Sequence, residues 1–119
     1  MEPPRQAERL TIYLSQTEHT GPAPDHVAIV ERARRSGLAG ATVIKGVSGF
    51  GLSSRVHRRH AFGIGEEVPV AVTIIDSPHR IGAFLAEVEP LLGDGRVVRQ
   101  PTEIVIERPR RIGGGGGEE

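Results

Sequence analysis

The stretch VPVAVTIIDSPHRIGAFLAEVEPLLG, residues 68–93, decides the fold because its hydrophobic period changes once, at a cap signal. Residues 68–75 form a nearly continuous apolar run rich in β-branched side chains, the pattern of a central strand. Ser77 then offers a helix cap, and Pro78 suits a first helical position, where the missing N–H is no loss. Beyond them Ile81, Phe84, Leu85, Val88, Leu91 and Leu92 recur at helical spacing as one stripe, and Gly93 reads as the stop.

Upstream, residues 41–47 read as another β-branched strand, separated from 68–75 by a long loop over 49–67. A first helix begins at about Pro24, with Val27, Val30 and Ala33 at helical spacing, Ile29 widening the stripe and Gly37 placed to end it. Residues 17–23 are a polar loop, and before it Leu10, Ile12 and Leu14 alternate with Thr11, Tyr13 and Ser15 as the first strand. Downstream, Val97 and Val98 open an edge strand, and residues 102–107 continue it or add another beyond Pro101.

The order is β-α-β-β-α-β, which predicts an α+β, ferredoxin-like sandwich: one antiparallel sheet with two helices on one face. Val70, Val72 and Ile74 cannot pack on the same two helices as Ala71, Thr73 and Ile75. The second sheet face therefore calls for a cover, and an oligomer supplies one. The expected domain runs over 9–108, with 51–66 as its flexible loop. Residues 1–8 and the Gly-rich 109–119 are expected as disordered tails.

A chain of 119 residues with 37% hydrophobic and 3% aromatic content has room for one thin, aliphatic core, which oligomerisation would reinforce. Cysteine is absent, excluding disulfides and thiolate metal sites. Pro3, Pro4 and Arg5 stand where a signal peptide needs an apolar run, so the expectation is cytoplasmic. Formal net charge is zero, and no global field points to a nucleic-acid partner.

Two segments could carry chemistry. Residues 47–65 contain no acid, and Arg55, His57, Arg58, Arg59 and His60 follow the Gly49-Phe50-Gly51 entry, a composition that favours an anion. Read without a ligand, the same segment is a solvated arginine-rich hairpin. Gly93-Asp94-Gly95-Arg96 is a helix stop and turn on the plainest reading, and a phosphate cradle with Arg96 as charged clamp on the other. It is no Walker A loop, since the Lys-Ser/Thr pair is missing. His57 and His60 are three apart, but the neighbouring arginines would repel a metal cation, and no metal site is assigned. No paired carboxylates and no nucleophile with a base point to catalysis, and no catalytic residue is named.

Together these residues resemble a bacterial family, domain of unknown function 190. The resemblance rests on residues 29–34 and 37–43, then Lys45-Gly46, Gly49-Phe50-Gly51, 53–57 and Pro69-Val70, and it spans roughly residues 9–106. That family is similar to the PII signal-transduction proteins, which are trimers of ferredoxin-like subunits with adenine nucleotides between subunits and a long target-binding loop. Gly40-Ala41-Thr42 resembles the Gly-x-Thr that contacts a neighbour's nucleotide. Lys45-Gly46 with Gly49-Phe50-Gly51 resembles the Lys-Gly-Phe-Gly entry to the target loop, with two residues inserted. Gly93-Asp94-Gly95-Arg96-Val97 resembles the phosphate-binding Gly-Asp-Gly-Lys-Ile. The loop lacks the tyrosine that PII proteins modify and carries Leu52 in place of their metal-coordinating glutamine.

The resemblance implies a regulatory protein, not an enzyme, that needs no cofactor and takes an adenine nucleotide as ligand. Thr42, Gly49, Phe50, Gly51, Gly93, Gly95 and Arg96 would form the nucleotide site. Arg55, His57 and Arg58 would serve the anion- or target-binding loop. The implied partners are a homotrimer's other subunits and a protein target, either a transporter or an enzyme. The alternatives are a metal- or inorganic-ion-responsive trimer and a weak nucleotide hydrolase.

Overall fold

The structure is a computed structural model that describes residues 3–48, 68–93 and 95–108. It contains β1 (Arg5–Ser15), α1 (Asp25–Arg35), β2 (Thr42–Lys45), β3 (Pro69–Asp76), α2 (Pro78–Val88), a 3-10 turn (Glu89–Leu91) and β4 (Arg96–Ile104). The four strands make one antiparallel sheet in the order β2-β3-β1-β4. This is the expected ferredoxin-like arrangement, with the strand of the 68–75 run inside the sheet.

Both helices cover one face. Leu10, Ile12 and Leu14 of β1 and Val70, Val72 and Ile74 of β3 meet Ile29 and Ala33 of α1 and Ile81, Phe84 and Val88 of α2, all buried. The core is aliphatic around Phe84. Complete burial of a side chain of this class contributes about 1.5–3 kcal/mol. On the other face the register aligns Ile44, Ala71, Tyr13 and Arg96 in one row across the strands, with Thr42, Thr73, Thr11 and Val98 in the next. Ile44 is 58% exposed and Tyr13 49% exposed, so this face keeps apolar surface that no helix covers.

The caps behave as their residues dictate. The Ser77 hydroxyl accepts the Arg80 N–H at 3.2 Å, with Pro78 beginning the helix. Gly37, at φ 78°, ends α1: its N–H donates to Arg34 O at 3.1 Å and the Leu38 N–H to Ala33 O at 3.2 Å. Those two bonds form a Schellman pair, which needs a left-handed residue at Gly37.

Some details differ from expectation. α2 ends at Val88, not Gly93, and continues only as a 3-10 turn. Pro90 lacks the N–H of the next helical bond, and its ring would collide with the preceding turn. β1 begins at Arg5, inside the expected tail, because β4 is long enough to pair Arg5 with Ile104. β4 takes the continuous form of the two expected, running through Pro101, opposite Glu8, as an edge strand can when the missing N–H faces outward, and it ends at Ile104. In α1 the buried row is Asp25, Ile29 and Ala33, while Val27 is 47% exposed. The helix docks on its four-residue spacing, which turns Val27 away.

Candidate functional site

Because the sheet is antiparallel, β1 and β2 end where β3 and β4 begin. One end of the sheet therefore gathers the loop after Ser15, the Lys45-Gly46 exit of β2, the Val68-Pro69 entry of β3 and the turn ahead of Arg96. Backbone bonds tie these segments together: the Gly46 N–H donates to Pro69 O and the Gln16 N–H to Val68 O, each at 2.8 Å. Gly46 and Val68 thus stand at the same end of the sheet as Gly95 and Arg96.

The two glycines that flank Asp94 sit in different surroundings. A Cβ on Gly95 would stand 2.8 Å from the Tyr13 carbonyl oxygen and 2.7 Å from Leu14 Cδ2, so only glycine lets the chain pass β1 at this distance. At Gly93 the same construction meets nothing nearer than Thr20 Oγ1 at 3.5 Å, Asp25 Oδ2 at 3.7 Å and Glu18 Oε2 at 3.8 Å, ordinary contacts. Gly93 is exposed. Arg96 is also exposed and lies beside Tyr13 on the helix-free face.

Behind the turn sits a buried carboxylate. Asp25, 2% exposed, accepts the Thr20 N–H at 2.6 Å and the Thr20 hydroxyl at 2.9 Å. Its own N–H donates to Glu18 O at 2.8 Å, and the Glu18 carboxylate accepts the Ser15 N–H at 3.0 Å. Sequence reading passed over Thr20 and Asp25 because the polar residues 17–23 look like any surface loop. The available signal was an acid in a helix's first turn following a threonine within capping reach. His26, next along, has its pKa lowered by burial first and by the Lys45 charge second, with Asp25 opposing. Its Nδ1 is buried without a hydrogen-bond partner among the described residues.

Of the sequence-derived site residues, Gly93, Gly95 and Arg96 share this turn. Thr42 is exposed on β2 and on the same helix-free face, but at the opposite edge of the sheet. Two strands intervene between Thr42 and Arg96, about 14 Å at the ordinary strand spacing. The fold therefore keeps Thr42 apart from the turn within one subunit. Gly49, Phe50, Gly51, Arg55, His57, Arg58 and His60 lie outside the described residues, as does Asp94.

The model of the DUF190 family, described as Uncharacterized ACR, matches residues 7–104. The chain belongs to the DUF190 family. A UPF0166 protein of Aquifex aeolicus is 34% identical over 80 residues, which cover 67% of this chain and 76% of that protein. Among solved structures, CPII from Thiomonas intermedia K12, bound to ADP, AMP and acetate, superposes with a TM-score of 0.60. It is 17% identical, and the match covers 89% of this chain and 93% of CPII. A protein described as a putative PII-like signaling protein from Thermus thermophilus gives a TM-score of 0.58 at 13% identity, covering 87% of this chain and 94% of its own. This DUF190 chain thus has the PII-like, ferredoxin-like fold. Among the described residues, no group of three or more His, Asp or Glu side chains could hold a metal ion, and no helix is long and apolar enough to cross a membrane.

Proposed function

We propose that this protein is a PII-like regulator that binds an adenine nucleotide in the clefts of a homotrimer. The observation that carries the reading is the placement of Thr42 and Arg96 on opposite edges of one helix-free sheet face. Packing such faces around a threefold axis would bring the Arg96 edge of one subunit against the Thr42 edge of the next. The exposed Ile44 and Tyr13, with Ala71 between them, supply the apolar surface for that packing. Gly93, Gly95 and Arg96 would hold the phosphates, with Gly49, Phe50 and Gly51 forming the opposing wall. Nucleotide binding would order the segment beginning at Leu52, with Arg55, His57 and Arg58 presented to a protein target, an order–disorder switch.

Supporting the choice of ligand, the CPII structures of the same fold hold ADP and AMP. They also favour one form of the second reading, an inorganic-ion-responsive trimer, since CPII is seen with ADP, AMP and bicarbonate. In that form the cationic 55–60 run would take the anion beside the nucleotide.

The test is calorimetric titration of ADP, AMP and bicarbonate into the purified protein, with its mass measured in solution. The expected result is a trimer that binds ADP. Arg96→Ala should then lose about 1.5–3 kcal/mol of binding, the worth of a hydrogen bond to a charged group. A monomer, or a trimer indifferent to nucleotides, would overturn the reading.

A further inference from the structure

We propose that Thr20 and Asp25 are positioning residues that fix where Gly93 stands in the proposed phosphate site. The inference rests on the phosphate reading of the Gly93–Arg96 turn and adds to it the device that holds Gly93 ready. Asp25 is nearly inaccessible, and a polar side chain is buried at little cost only where hydrogen bonds replace water. Both of its oxygens are taken by Thr20, from the backbone N–H and from the hydroxyl. The Asp25 N–H bonded to Glu18 O and the bridge between His19 and Pro24 close residues 18–25 into a ring against the start of α1.

That ring is bonded to the 3-10 turn ahead of Gly93 through the Thr20 hydroxyl. Thr20 Oγ1, 2.9 Å from Asp25 Oδ2, is also 3.3 Å from the Leu91 carbonyl oxygen, so its proton is shared between the two acceptors. Leu91 closes the 3-10 turn, where the Leu92 N–H donates to Glu89 O at 3.0 Å, and the phosphate turn starts at the next residue. On its far side the turn is fixed by the close passage of Gly95 over Tyr13. Gly93 therefore lies between two fixed points, and the one at Thr20 and Leu91 is made by residues outside the proposed phosphate site.

The ring also decides which side of the turn can receive an anion. Oxygens of Thr20, Asp25 and Glu18 surround the inner side of Gly93 at 3.5–3.8 Å from where its Cβ would stand. Two of them belong to carboxylates, which repel a phosphate and disfavour its approach on that side of Gly93. Holding Gly93 in place before the ligand arrives lowers the ordering cost of binding.

Thr20→Val removes the shared hydroxyl, Thr20→Ser keeps it, and Ile81→Val is a core variant away from the turn that controls for lost stability. ADP affinity is measured by titration for all three, with thermal midpoints alongside. Thr20→Val is expected to weaken ADP about tenfold, Thr20→Ser to bind within about twofold of the parent, and Ile81→Val to lower the midpoint without changing affinity. Wild-type affinity in Thr20→Val, or a loss in Ile81→Val as large as in Thr20→Val, would overturn the positioning role alone. A parent protein that does not bind ADP would overturn the phosphate reading and this role with it.

Discussion

Gly95 passes so close to Tyr13 that a Cβ would stand 2.8 Å from the Tyr13 carbonyl oxygen, whereas at Gly93, two residues earlier, the nearest atom would be 3.5 Å away. The two glycines of one motif are glycine for different reasons. At Gly95 the neighbouring strand forbids a side chain. At Gly93 the described residues do not, and the proposed nucleotide site would supply the restriction there.

Alanine scanning separates these roles. Gly95→Ala should destabilise the fold by about 1–3 kcal/mol, as overpacking against backbone does. Gly93→Ala should leave the denaturation midpoint close to the parent's while nucleotide affinity falls. Equal loss of stability in both variants, read by urea denaturation, would remove the distinction.

Ser77 is a local, ligand-independent test of the helix that the sequence announces most clearly. Its hydroxyl is the side-chain cap of α2, accepting from Arg80 N. Ser77→Ala should cost about 1 kcal/mol of stability, with nucleotide binding unchanged. Denaturant melts of the two proteins measure it.

His26 predicts a pH dependence. Burial and the Lys45 charge hold its pKa below the ordinary 6.5, so the unfolded chain takes up the proton before the folded one. Stability from keeping His26 neutral is therefore fully present above the unfolded pKa and declines as pH falls below it, levelling at the folded pKa. Thermal midpoints measured from about pH 7.5 down to pH 5 should fall less steeply for His26→Gln than for the parent. Parallel pH curves for the two proteins would contradict this.

How much of this was legible in sequence depended on how local each cause was. The α2 stripe, the Ser77 cap and the Gly37 stop are written within a few residues and appear where the pattern puts them. The end of α2 was also local, in Pro90, but the apolar stripe running on through Leu91 and Leu92 outweighed it. The extent of β1 and β4 was not local: Arg5 pairs with Ile104, and neither end carries an alternating pattern of its own. Asp25 was hidden for a related reason. An acid reads as exposed until the fold buries it under Thr20, and only then does its cost become structural information. Arg96 and Thr42 were named from the motifs, while their placement on opposite edges follows from strand order alone.

The most direct test of the central claim is co-expression of Arg96→Ala with Thr42→Val, followed by counting ADP sites per trimer. Each variant alone should lack high-affinity sites. If every cleft takes Arg96 from one subunit and Thr42 from its neighbour, random mixing in equal amounts should restore parental affinity in about one quarter of clefts. If both residues served a site within one subunit, every subunit in the mixture would still carry a lesion. Recovery near one quarter supports the intersubunit cleft, and no recovery in mixed trimers contradicts it.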